Sequence, residues 1–159
     1  MKNYKTIILI FILFISTSCG YNTLDYKQIR NVNLNEVTNE GNKSINFKIL
    51  SQLKQLFKSD KSQKNRYDVH LITKENVTIK EKNKKNEITK YEISIKCNLI
   101  FKNTMDENKF EIDLTKKTNY RVDNKNLKTI QNKKKAREQL IASLSEEIIE
   151  KIVLKLNDI

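Results

Sequence analysis

Tyr91-Glu92-Ile93-Ser94-Ile95-Lys96-Cys97-Asn98-Leu99-Ile100-Phe101 puts an apolar side chain at every odd position and, up to Ile100, a polar one at every even position. Side chains of an extended chain alternate between two faces, so this segment offers one face to a core and the other to water. It predicts a half-buried strand of an antiparallel sheet. Cys97 lies on the apolar face, where a lone thiol acts as a small hydrophobe.

The same alternation recurs on both sides. Tyr67, Val69 and Leu71 alternate with Asp68 and His70, and the pattern resumes at Val77 and Ile79 after a polar break. Downstream, Phe110, Ile112 and Leu114 alternate with Glu111 and Asp113, with a continuation expected through Tyr120 and Val122. Charged or polar turns at Lys82–Asn86 and Asn103–Asn108 separate the three strands, which favours antiparallel hairpins. A weaker strand, Ile29–Val37, comes earlier.

Two helices complete the order. Ile45, Ile49, Leu50, Leu53, Leu56 and Phe57 recur at steps of three and four, one buried stripe over Ile45–Lys58, with Asn42 or Ser44 as cap. After a polar spacer, Asp123–Lys128, a longer stripe runs from Ala136 through Leu140, Leu144, Ile148 and Ile152 to Leu156, with Glu147 and Lys151 as a favourable i,i+4 pair. The order βαβββα predicts an α+β two-layer sandwich, a four-stranded sheet with both helices packed on one face. Its other face, carrying Asp68, His70, Glu92, Ser94, Lys96, Glu111 and Asp113, is left for water or a partner.

The N-terminus is of a different kind. Lys2 and Lys5 precede an apolar run, Ile7–Ile15, and then Ser16-Thr17-Ser18-Cys19-Gly20-Tyr21. Nine residues make only about 14 Å of helix, too short for a bilayer core of about 30 Å. A basic head, a short apolar run and small residues before a cysteine describe the signal peptide of a bacterial lipoprotein, residues 1–18, with Cys19 lipidated as the first mature residue. Ser16 stands where such signals usually carry Leu. An ordinary secretory signal cut near Ser18 and an uncleaved anchor are the alternatives. With Cys19 lipidated, residues 19–27 form the lipidated N-terminus and linker, residues 28–159 a single domain, and Cys97 has no disulfide partner.

The chain carries a net charge of +12, and removal of Lys2 and Lys5 with the signal leaves +10. Such a charge suits anionic lipid, nucleic acid or an acidic partner. Lysine, asparagine and isoleucine abound while proline is absent, so codon bias alone could supply much of the basicity; export argues against nucleic acid. The lysine runs Lys82, Lys84, Lys85 and Lys133, Lys134, Lys135 are the candidate anion contacts. Catalytic groups are missing from the pattern. His70 is the only histidine, no Ser or Cys is spaced to form a nucleophilic unit with it, and two glycines cannot build a phosphate loop. No enzyme, no metal and no cofactor are expected.

The Cys19-Gly20-Tyr21 start, the order of elements, and a tail of Asn119-Tyr120-Arg121-Val122, polar spacer and long helix from Lys135-Ala136-Arg137-Glu138-Gln139-Leu140 resemble the lipopolysaccharide-assembly lipoprotein family LptE. The prolines and glycines common near that family's start are lacking. The resemblance implies a protein anchored in the inner leaflet of the outer membrane, facing the periplasm and the lumen of a large β-barrel, LptD. As plug and assembly factor it would assist insertion of lipopolysaccharide into the outer leaflet, with lipopolysaccharide itself as a partner. Gly20 agrees with that location, since Asp there is the usual signal for inner-membrane retention. Lys82, Lys84 and Lys85 are the candidate lipopolysaccharide contacts. A periplasm-facing adaptor for another envelope machine, or a binder of a soluble periplasmic ligand, would show the same features.

Lipidation has a direct readout. Intact-mass measurement of membrane-extracted protein is expected to show a chain beginning at Cys19 and carrying a diacylglyceryl group. An unmodified Cys19 refutes the assignment.

Overall fold

The computed structural model describes residues 32–57, 65–106 and 108–157; the signal peptide, Cys19 and the linker lie outside them. Their order is β1 (Val32–Gly41), α1 (Lys43–Leu56), β2 (Asn65–Lys82), β3 (Ile88–Asn103), β4 (Lys109–Arg121) and α2 (Asn126–Asn157). The strands form one sheet in the order β1-β2-β3-β4. β2, β3 and β4 are an antiparallel meander, and β1 pairs parallel with β2. The parallel pair requires a crossover, which α1 supplies. The architecture is the expected two-layer α+β sandwich.

β3 is central in burial as well as in position. Ile93, Ile95, Cys97, Leu99 and Phe101 are each 0% exposed. They pack with Val69 and Leu71 of β2, Ile112 of β4, the α1 stripe Ile45, Ile49 and Leu53, and the α2 stripe Leu140, Leu144, Ile148 and Ile152. Each fully buried aliphatic side chain contributes about 1.5–3 kcal/mol, so the interlock of the two helical stripes with this one strand face dominates stability.

Several boundaries depart from the sequence expectation, each for a local reason. β1 runs through Val37 to Gly41 because its register with β2 slips between Leu34 and Val37, where Asp68 accepts hydrogen bonds from Asn35 Nδ2 (2.8 Å) and Glu36 N (3.1 Å). α1 starts at Lys43 because Asn42 is its cap, its side-chain oxygen accepting from Ser44 N at 3.2 Å and Ile45 N at 3.3 Å. The break expected after Leu71 does not exist. β2 is continuous, and polar residues occupy its core-facing positions with partners: the Thr73 hydroxyl donates to Asn46, and Glu75 receives Arg137. α2 begins at Asn126, inside the segment read as spacer, because Asp123 and Thr129 close its entry. Asp123 N donates to Thr129 Oγ1 (2.8 Å), and Thr129 Oγ1 donates back to Asp123 O (3.2 Å). The Glu147–Lys151 pair forms at 4.0 Å, and Glu147 also meets Lys116 of β4.

The face assignment in β3 is open to a paired test. Leu99 faces the core between Leu71 and Ile112, so Leu99→Asp buries an unpaired charge and is expected to cost at least about 3 kcal/mol. Ser94→Asp, on the outer face opposite Lys117, is expected to stay within about 0.5 kcal/mol. Chemical denaturation of the two variants checks this; equal midpoints would reverse the faces.

Candidate functional site

The β2–β3 hairpin ends in Asn83–Glu87, a turn held by its own asparagines. Asn83 Oδ1 accepts from Lys85 N (2.9 Å) and Glu87 N (3.0 Å), and Asn83 N donates to Glu87 O at 2.9 Å. Asn86 takes the left-handed conformation, φ 64°, which asparagine tolerates better than most residues. This geometry leaves the side chains of Lys84 and Lys85 in solvent. Lys82 turns back to Asn86 Oδ1 at 3.0 Å.

The fold carries the second lysine run to the same end. Arg121 closes β4 opposite Lys90, which pairs with Glu81; Val122 N donates to Thr89 O at 2.9 Å. α2 starts there and turns back along the sheet, with Asn132 Nδ2 donating to Arg121 O at 3.1 Å and Arg137 Nε reaching Glu75 Oε2 at 2.8 Å. Lys133, Lys134 and Lys135 lie between those two fixed points, all exposed. Residues 80–90 and 121–135 together hold eleven basic and three acidic side chains, a net +8 out of the chain's +12. Codon bias would spread charge along the chain. Two-thirds of it in one-sixth of the sequence, folded to one end, is a feature of the structure.

All three acids at this end are already engaged. Glu81 is held by Lys90, and that hydrogen bond, with the charge behind it, keeps the Glu81 carboxyl below its ordinary range. Glu87 receives Asn83 Nδ2 at 2.7 Å. Asp123 pairs with Lys128 at 3.2 Å, and its carboxyl is lowered first by the Lys125 backbone N–H and then by Lys128. Among the described residues no carboxylate meets Lys84, Lys85, Lys125, Lys133, Lys134 or Lys135. Beside these lysines stand Ile79, Leu127 and Ile130, 52%, 68% and 63% exposed. An end with free cations and exposed aliphatic groups can hold an anionic amphiphile, phosphates on the lysines and hydrocarbon on the apolar side chains.

Lys82, Lys84, Lys85 and the 133–135 run, separate in the sequence, are thus brought together. Sequence reasoning missed Lys80, Lys90, Arg121, Lys125, Lys128 and the exposed Leu127 and Ile130, whose grouping exists only once the hairpin and α2 are set side by side. The N-terminal segment enters at Val32, opposite Asn65, at the other end of β2. That puts the basic end about 55 Å along the strand from where a tether through Cys19 would arrive.

The outer face residues have local roles. Asp68 closes the β1 slip, and His70 Nδ1 lies 2.7 Å from Thr38 Oγ1 with Nε2 3.7 Å from Glu40. This group sits exposed on an open sheet. Among the described residues there is no cluster of three potential metal ligands, and no helix long and apolar enough to cross a membrane. A cavity of about 290 Å³ opens at the tether end, lined by Tyr67, Asp106, Lys109, Phe110 and Lys155. Burial, then Asp106, pushes the Tyr67 hydroxyl above its ordinary pKa. Cys97 is fully buried, and burial, then Asp113, drives its thiol up to about 12.

A thiol at about 12 is protonated and shielded at neutral pH. Peptide mapping after treatment with a disulfide reagent at pH 8 is expected to find Cys97 unlabelled in the native chain and labelled in denaturant. Labelling at comparable rates in both would show that the position is open.

No family model matches the chain, and no curated protein matches it in sequence. Solved structures do match in shape. The rare lipoprotein B of Shewanella oneidensis superposes with a TM-score of 0.64 at 10% identity, over 79% of this chain and 98% of that one. A lipoprotein of Caulobacter crescentus gives 0.55 at 10% identity, over 83% and 95%. Lipoprotein B of Nitrosomonas europaea gives 0.50 at 10% identity, over 77% and 85%. At these identities the likeness establishes a shared fold, the βαβββα sandwich.

Proposed function

We propose that this protein is an outer-membrane lipoprotein that plugs and helps assemble an LptD-type β-barrel and assists insertion of lipopolysaccharide into the outer leaflet. The observation that carries it is the basic end. Six lysines without carboxylate partners, flanked by exposed Ile79, Leu127 and Ile130, match a ligand that bears phosphates on an acylated core. The signal pattern before Cys19 and the lipoproteins that share the fold support an envelope location. A tether at the opposite end of β2 would hold the basic end away from the leaflet that carries the anchor. That is the orientation a plug needs when it receives lipid from one side of a membrane and presents it toward the other.

Depletion of the protein is expected to lower the amount of folded barrel partner and to leave lipopolysaccharide behind the outer membrane. Direct contact is tested separately with purified lipopolysaccharide. Each exposed lysine–phosphate contact is worth about 0.5 kcal/mol, so reversing Lys84, Lys85, Lys133, Lys134 and Lys135 to Glu is expected to weaken binding at least about tenfold. The loss should shrink as salt is raised. Unchanged barrel assembly and surface lipopolysaccharide on depletion would transfer the reading to an adaptor in another envelope machine. The broad polar outer face of the sheet would serve such a role. Unchanged binding in the reversal variant would remove the basic end from the mechanism.

A further inference from the structure

β4 is an open sheet edge of an unusual kind. Among the described residues it pairs on one side only, with β3, in unbroken register from Lys90/Arg121 to Lys102/Lys109. On the opposite side β1 is interrupted by its slip between Leu34 and Val37 and covers β2 only as far as Thr73, and the uncovered stretch of β2 shifts register at Ile79/Glu81 and Glu81/Lys82. Bulges, proline and short length are the ordinary protections of an edge; β4 has thirteen residues, no register shift and no proline. The hydrogen bonds Asn103 N to Asn108 O and Val122 N to Thr89 O identify the β4 residues whose backbone groups face β3, the even-numbered ones. The odd-numbered residues therefore direct N–H and C=O away from the sheet. Their side chains, Glu111, Asp113, Thr115, Lys117 and Asn119 among them, are exposed on the outer face.

We propose that this edge pairs antiparallel with the β4 edge of a second copy of the chain, about a two-fold axis at Thr115, to make one eight-stranded sheet. Self-pairing of the outward groups requires odd residues opposite odd residues. Centred on Thr115, the register sets Asp113 of each copy opposite Lys117 of the other, twice, and Glu111 opposite Asn119. Lysine on an edge ordinarily deters pairing; here the central lysine meets an aspartate directly across. Like charges meet only at the fraying ends, Lys109 against Arg121. The antiparallel arrangement also sends the two basic ends to opposite extremes of the joint sheet, which limits repulsion between mature chains of net +10. This pairing uses none of the basic-end lysines; because it reverses one copy and sets each basic end beside its partner's tether end, it describes the free lipoprotein and not the chain seated in a barrel.

The test uses the full chain extracted from membranes into mild detergent. Opposed residues in a hydrogen-bonded antiparallel pair have Cα atoms about 5.5 Å apart, within reach of a disulfide. Oxidation of Thr115→Cys is expected to give a covalent dimer above the level of the parent chain. Ile72→Cys, also exposed on the outer face but held inside the sheet on β2 between Glu40 of β1 and Asn98 of β3, should not. Adding Asp113→Lys to Thr115→Cys is expected to cut the dimer yield at least fivefold, and Lys117→Asp added to that pair to restore it. Cross-linking of Thr115→Cys no better than of Ile72→Cys overturns the pairing. So does a yield unaffected by Asp113→Lys, which would mean contact without the register. Circular dichroism of each variant confirms that the exposed substitutions leave the fold intact.

Discussion

The crossover from β1 into β2 depends on one close approach. Gly41 ends β1 at φ +90°, and a Cβ there would lie 1.9 Å from the carbonyl oxygen of Thr73. Only a residue without a side chain brings the end of β1 this near to β2, and only glycine takes that φ without penalty. From this point Asn42 caps α1. Asn46, buried one turn in, donates to Glu40 O at 2.9 Å and to Asn39 Oδ1 at 3.1 Å while accepting from Thr73. A buried amide with most of its groups satisfied fixes the helix in rotation, which apolar packing alone does not do as sharply.

The same junction reaches α2. Arg137 Nη2 donates to Asn42 Oδ1 at 3.0 Å and its Nε pairs with Glu75 at 2.8 Å, in a half-buried setting. The helix cap, the polar part of β2 and the long helix are thus joined through one guanidinium, whose planar donors suit this shared geometry. Arg137 sets how α2 lies against the sheet, and so where its first turns fall. Lys133, Lys134 and Lys135 stand beside the hairpin because the node at Gly41 and Glu75, far from any proposed ligand, holds the helix that bears them.

Electrostatics and packing are divided between the two ends of the molecule. Near the tether, Phe57, Tyr67, Phe101 and Phe110 form a ring cluster with centroid distances of 5.1 to 6.0 Å. At the far end, packing thins beyond the stacked Tyr91 and Tyr120, charge accumulates, and exposed aliphatic side chains remain. Stability is concentrated in the middle and at the tether end. The end with uncompensated charge is the one where loss of packing costs least, a common placement for binding surfaces.

Much of this was legible in the residues. The odd-even alternation from Tyr91 to Phe101 and the stripes in α1 and α2 determine the element types and the face of each that is buried, because they reflect the two backbone periodicities directly. The polar stretch from Thr73 to Asn76 was illegible: hydrophobic pattern cannot tell a gap between strands from a core-facing position whose hydroxyl or carboxylate has a partner supplied from thirty or sixty residues away. The parallel pairing of β1 was likewise decided by the Gly41 contact, which involves no pattern at all. The candidate lysines were visible as two runs of unremarkable charge. Their union into one end, with its acids already spent and its aliphatic neighbours left bare, is set by hairpin length and by where Arg137 anchors α2. Those are long-range contacts, and no local periodicity encodes them.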